Sequence, residues 1–183
     1  TAGSTARRAD QARITCETTS NLGYAGRAGV SVSGSNGPLM KTSVVMEDES
    51  VIEAKGSLGI EVLDGAKAVV GTSSDTDASH PTIIVDGGTG IYAANDAEVI
   101  LQGFARIESI TAKRGVGYHA AGGSDAIAGP KLTAKDDVTI SGFSSALRFG
   151  SSKGASADLS GRTKIDLSQF GIYAGGSGSL AYT

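Results

Sequence analysis

Two carboxylates stand one residue apart in this chain. Asp75 and Asp77 lie in the run Ser73-Ser74-Asp75-Thr76-Asp77-Ala78-Ser79-His80. Glycosidic hydrolysis needs two carboxyl groups held at a set separation. A Ca²⁺ ion needs a shell of about six to eight oxygens. A lone Asp-x-Asp falls short of both patterns, so a solvated polar loop is the simpler reading. Weak Ca²⁺ binding is the sharper one, and a melting temperature unmoved by Ca²⁺ or chelator counts against it. Asp136 and Asp137 are adjacent. On a strand they would point to opposite faces, which argues against a cooperating pair.

Nucleophilic chemistry has little to work with. The chain has one Cys, Cys16, and two His, His80 and His119, both in Gly- or Ser-rich surroundings. A Cys–His pair is not expected. His119 beside Tyr118 reads as a surface pair. Gly87-Gly88-Thr89-Gly90 and Gly122-Gly123-Ser124 resemble phosphate loops only superficially, because no Gly-Lys-Ser/Thr follows. They read as corners. No catalytic residue, cofactor or metal is therefore expected. No Asn-x-Ser/Thr or Arg-Gly-Asp sequence occurs.

Composition narrows the scaffold that would carry any such group. Of 183 residues, 27 are Gly, 3 Pro and none Trp; 39% are hydrophobic and 5% aromatic. That apolar content is too high for a disordered chain, and no Gly-x-y period suggests collagen. Net charge is −3, and Arg7-Arg8 is a basic pair without a longer basic run. Nucleic acid is not expected as a partner. No apolar run approaches a membrane span. A single Cys cannot form an intrachain disulfide and does not reveal the compartment. The polar opening Thr1-Ala2-Gly3-Ser4-Thr5 is no signal peptide. The chain reads as a piece of something longer or a processed product.

The elements that would position side chains appear as repeats. One motif runs small or acidic, x, apolar, x, apolar, x, often closing on Gly. Its clearest copy is Ala97-Glu98-Val99-Ile100-Leu101-Gln102-Gly103. Other copies begin at Ala66, Asp136, Ala155 and Gly178. Gly59-Ile60, Gly90-Ile91 and Gly171-Ile172 each precede a copy, and the last two read Gly-Ile-Tyr-Ala. A third element comprises Ile52-Glu53-Ala54-Lys55, Thr82-Ile83-Ile84-Val85, Ile107-Glu108-Ser109-Ile110 and Ile165-Asp166-Leu167-Ser168. The order is strand, corner, strand, corner, strand, corner, and again. A minimal coil would take about twenty residues. The uneven spacing assigns the surplus to loops such as Thr72 to Ser79 and Ala121 to Gly129. Ser109 to Arg114 is a candidate helical turn.

A period of two places alternate side chains on opposite faces. Ala97, Val99 and Leu101 share one side; Glu98, Ile100 and Gln102 share the other. One coil cannot bury its dry face alone, but stacked coils can. A narrow interior would favour Ala, Val, Ile and Leu over aromatics, with Gly at corners needing positive φ. The expected fold is all-β: a right-handed single-stranded parallel β-helix with about three short strands per coil and loops of variable length. An antiparallel sandwich is the rival, and Asn36-Gly37, Asp64-Gly65 and Asp86-Gly87 could be its hairpins. The last two recur with the motif, so they read as β-helix corners. Residues 1–45 are expected to form an irregular N-terminal β region that could hold the first coils. Val30-Ser31-Val32 and Ser43-Val44-Val45-Met46 are strands there that do not phase with the rest. Residues 46–183 carry the coils.

The stretch Gly-Ile-Tyr-Ala-Ala-Asn-Asp-Ala-Glu-Val-Ile-Leu-Gln-Gly, 90–103, resembles the passenger domains of pertactin-like and AIDA-like autotransporters. The resemblance covers roughly residues 50–183 and rests on a fold signature. It implies an outer-membrane origin, export through a C-terminal β-barrel, and roles in adhesion, self-association or host contact. The expected function is thus that of a surface-displayed or secreted binding protein. Its partner would be a host cell-surface protein or glycan, or a second copy of itself. The expected contact residues are the outward row Glu61, Tyr92 and Tyr173, with Asp75, Asp77, Tyr118 and His119 on faces and loops. The alternative is a polysaccharide lyase or hydrolase on the same scaffold, which would need a groove of carboxylates and basic residues.

Overall fold

The computed structural model describes residues 5–8, 12–17, 28–34, 42–122, 127–150, 154–166 and 169–175. Their regular elements are all strands, and they wind as three strands per coil. The first coil holds β1 (Thr5–Arg8), β2 (Arg13–Glu17) and β3 (Ala28–Ser33). The second holds β4 (Ser43–Met46), β5 (Val51–Lys55) and β6 (Leu58–Leu63). The third holds β7 (Lys67–Val70), β8 (Thr82–Asp86) and β9 (Thr89–Ala94). The fourth holds β10 (Glu98–Leu101), β11 (Arg106–Ser109) and β12 (Val116–Ala121). The fifth holds β13 (Lys131–Ala134), β14 (Asp137–Ser141) and β15 (Ser145–Phe149). The sixth holds β16 (Ser156–Asp158), β17 (Arg162–Asp166) and β18 (Phe170–Ala174).

Each strand pairs with the strand three places along, always in parallel. Three six-stranded sheets result: β1-β4-β7-β10-β13-β16, β2-β5-β8-β11-β14-β17 and β3-β6-β9-β12-β15-β18. This is a parallel β-helix. Among the described residues the antiparallel rival survives only as one isolated bridge, Thr76 to Ser79. Asp64-Gly65 and Asp86-Gly87 are corners, with Asp64, Gly65 and Gly87 at positive φ.

Stacking turns the period of two into columns. In the second sheet six isoleucines stand in register: Ile14, Ile52, Ile83, Ile107, Ile140 and Ile165. From Ile52 to Ile140 they are fully buried in one core, with Val99 and Leu101 of the first sheet and Ile60 and Ile91 of the third. Burial of such side chains stabilises by about 1.5–3 kcal/mol each. The Gly of the Gly-Ile element has its own reason. A Cβ on Gly90 would lie 2.4 Å from the Ile107 γ2 carbon and 2.6 Å from the Gly117 carbonyl oxygen. Close approach between coils, not positive φ, excludes a side chain there.

Several expectations change. The copy at Asp136 is β14 of the second sheet, whereas the copies at Ala66, Ala97 and Ala155 lead into first-sheet strands. The first-sheet strand of that coil is β13, which pairs with β10 and β16. All three sheets share one alternation, so the motif does not reveal which sheet it belongs to. The register step from Asp137 to Arg162 is 25 residues, above the minimum of about twenty. Ser109 to Arg114 makes no helical turn: Ser109 ends β11, and Lys113 has φ +62. The interior also admits aromatics. Tyr118, Phe143 and Phe149 are buried in the fourth and fifth coils, beside Ala120, Ala134 and Ala146 of the same core. Within residues 1–45, Val30 pairs with Ile60 and Ser43 with Lys67, which phases both segments. The motif at Gly178 lies outside the described residues.

Candidate functional site

The outer face of the third sheet gathers most of the expected contact residues. Ser31 pairs with Glu61, Glu61 with Tyr92, Tyr92 with His119, His119 with Arg148, and Arg148 with Tyr173. One residue per coil thus forms an outward column, at steps of about 4.8 Å. Ser31 Oγ donates to Glu61 Oε2 at 2.7 Å. Tyr92 and His119 meet edge to face, with ring centroids 5.5 Å apart. The Arg148 guanidinium carbon lies 5.6 Å from the centre of the Tyr173 ring, a cation–π contact. Tyr173 is 46% exposed.

Beside the column runs a lane of small residues. Ala94 pairs with Ala121, the Gly150 N–H donates to Ala120, and the Gly175 N–H donates to Phe149. The rings lean toward this lane. A Cβ on Gly150 would lie 3.3 Å from His119 Nε2, and one on Gly175 would lie 3.2 Å from Tyr173 Cε1. Burial, then Arg148, lowers the His119 pKa from 6.5, so the imidazole is neutral at pH 7. Burial, then Glu61, raises the Tyr92 pKa.

His119 and Arg148 were legible in part. Gly117-Tyr118-His119-Ala120 follows the pattern of Gly90-Ile91-Tyr92-Ala93. Its third residue should therefore face outward, as Tyr92 does. In the fifth coil Ala146 replaces the Gly, which hides Arg148 from that pattern.

Tyr118 is not part of this surface. It occupies the inward column between Ile91 and Leu147 and is 0% exposed. Its ring lies 6.0 Å from that of Phe149, and among the described residues its hydroxyl has no hydrogen-bond partner. Burial raises its pKa strongly. Adjacent residues on a strand face opposite ways, so the Tyr118–His119 pair is split between core and solvent.

Asp75 and Asp77 are also divided. Asp75 is 7% exposed and accepts from Thr72 N at 2.7 Å and Thr72 Oγ1 at 2.9 Å, closing its own loop. Asp77 is exposed and pairs with Arg106 at 2.6 Å. Among the described residues no group of three or more His, Cys, Asp or Glu side chains could hold a metal ion. Cys16 lies in β2, in register with Ala54.

A shallow cavity of about 210 Å³ lies on the second sheet, where Glu53, Lys55, Ile84, Asp86 and Ile110 contribute to its lining. Its carboxylates are engaged: Glu53 by Arg13, and Asp86 by the Thr111 hydroxyl. The other faces carry further cross-coil ion pairs, Lys67–Glu98 at 3.2 Å and Arg162–Asp137.

No family model, curated protein or solved structure matches this chain. Among the described residues no helix is long and apolar enough to cross a membrane.

Proposed function

We propose that this chain is a stretch of a bacterial autotransporter passenger, surface-displayed at the outer membrane or secreted, that acts in adhesion, self-association or host-cell binding. The outer face of the third sheet is its contact surface, and a host cell-surface protein or glycan, or a second copy, is the partner. The supporting observation is the column Glu61–Tyr92–His119–Arg148–Tyr173, which presents aromatic and charged groups at a constant step on a rigid scaffold. Aromatic and Arg side chains are the usual anchors of recognition surfaces. A stack of coils extends such a surface without changing its geometry.

The test is cellular. Cells displaying the full protein should clump or bind host cells more than cells lacking it. Equal settling and equal adherence would defeat the proposal.

A further inference from the structure

We infer that the column from Tyr92 to Tyr173 binds an acidic polysaccharide, a chain bearing uronate carboxylates, laid along the helix axis; the inference rests on the adhesion reading and names its ligand.

The charge pattern comes first. Arg148 is exposed, and neither of its register neighbours, His119 and Tyr173, is a carboxylate. Among the described residues it forms no ion pair. By contrast, Arg13, Lys67, Arg106 and Arg162 on the other sheets each meet a carboxylate of a neighbouring coil. Contact with Tyr173 holds the Arg148 guanidinium in place and leaves in-plane N–H donors for a carboxylate, which it grips in a bidentate manner. Glu61 closes the site at the other end. Its carboxylate takes the Ser31 hydroxyl and would repel an acidic ligand.

The shape then selects a sugar chain. Tyr92 and Tyr173 stand three coil steps apart, about 14 Å. Their rings offer apolar surface to the C–H groups of pyranose units, and one coil step is close to the rise of one sugar in an extended chain. The lane of Ala94, Ala121, Gly150 and Gly175 carries no side chain larger than a methyl of its own, with His119 lying along it at Gly150 and Tyr173 at Gly175. A peptide would gain less here. The main-chain groups of a central sheet are used between coils, and strand addition needs a free edge. Recognition must come from rings and a guanidinium, which is the chemistry of an acidic glycan.

The experiment is calorimetric titration of the chain with galacturonate oligomers and, separately, with neutral glucose oligomers of equal length. Tyrosine emission serves as a second readout, since Trp is absent. We expect galacturonate to bind at least about tenfold more tightly than glucose oligomers. Arg148→Gln should weaken it roughly tenfold, and Tyr92→Ala or Tyr173→Ala several-fold. Lys131→Gln, an exposed cation on the first sheet, should leave affinity unchanged. Absence of galacturonate binding, equal affinity for glucose oligomers, or an equal loss from Lys131→Gln would each overturn the inference. If cells displaying the protein still adhere in that event, the adhesion reading stands and only its ligand is wrong. If they do not, both readings fall.

Discussion

The third sheet carries two columns one residue apart, and they differ in kind. The inner column reads Val30, Ile60, Ile91, Tyr118, Leu147 and Ile172. The outer reads Ser31, Glu61, Tyr92, His119, Arg148 and Tyr173. The strands and the register are the same. Inside, each side chain rests on those of the coils above and below, so nearly every position is a large aliphatic. Outside, neighbouring side chains touch along the column but among the described residues no second layer covers them, and each coil can carry a different chemistry at an identical address. Stability and, in the proposed function, recognition fall on opposite sides of one backbone.

Mutation of neighbouring residues is the strongest way to break this contrast. Ile91→Ala should cost about 2–5 kcal/mol in urea or thermal unfolding, through a cavity in the stacked core. Tyr92→Ala, one residue on, should cost less than about 1 kcal/mol. Comparable losses would mean that the outer column also holds the fold together. A smaller effect is expected at the coil contact. Gly90→Ala should destabilise by about 1–3 kcal/mol, because its Cβ must displace the Ile107 methyl or the Gly117 carbonyl. An unchanged melting temperature would show that the Gly-Ile element is not required by close approach.

The smallest effect sharpens the comparison from outside. The His119 pKa is lowered in the folded chain. Its neutral form is therefore the one the fold favours. The resulting stability is present above the ordinary value of 6.5 and is lost as pH falls through the lowered value. His119→Gln should flatten the decline in melting temperature on the acid side of 6.5, where the imidazole gains its proton. An identical acid limb in both proteins would remove His119 from the account.

Much of the scaffold could be read without coordinates. Alternation in Ala97–Gly103 predicted which side chains are dry, and the Gly-Ile pairs marked one sheet. The row Glu61, Tyr92 and Tyr173 followed from its distance to those glycines. The fourth and fifth coils were harder to read, because Tyr118 stands where Ile is expected and Ala146 where Gly is. The strand at Asp136 went to the wrong sheet for a related reason. Three sheets with one alternation look alike in a linear chain.

Side-chain period is a local property of extended backbone, so the residue order alone determined that this chain builds strands with one dry face. It also marked, through recurring Gly, many of the places where coils turn or touch. Which strand lies on which was decided only in three dimensions, where loop length and the fit of Ile, Ala and aromatic side chains select one register. That choice set Arg148 between His119 and Tyr173, residues far apart in the chain that meet because their coils are neighbours.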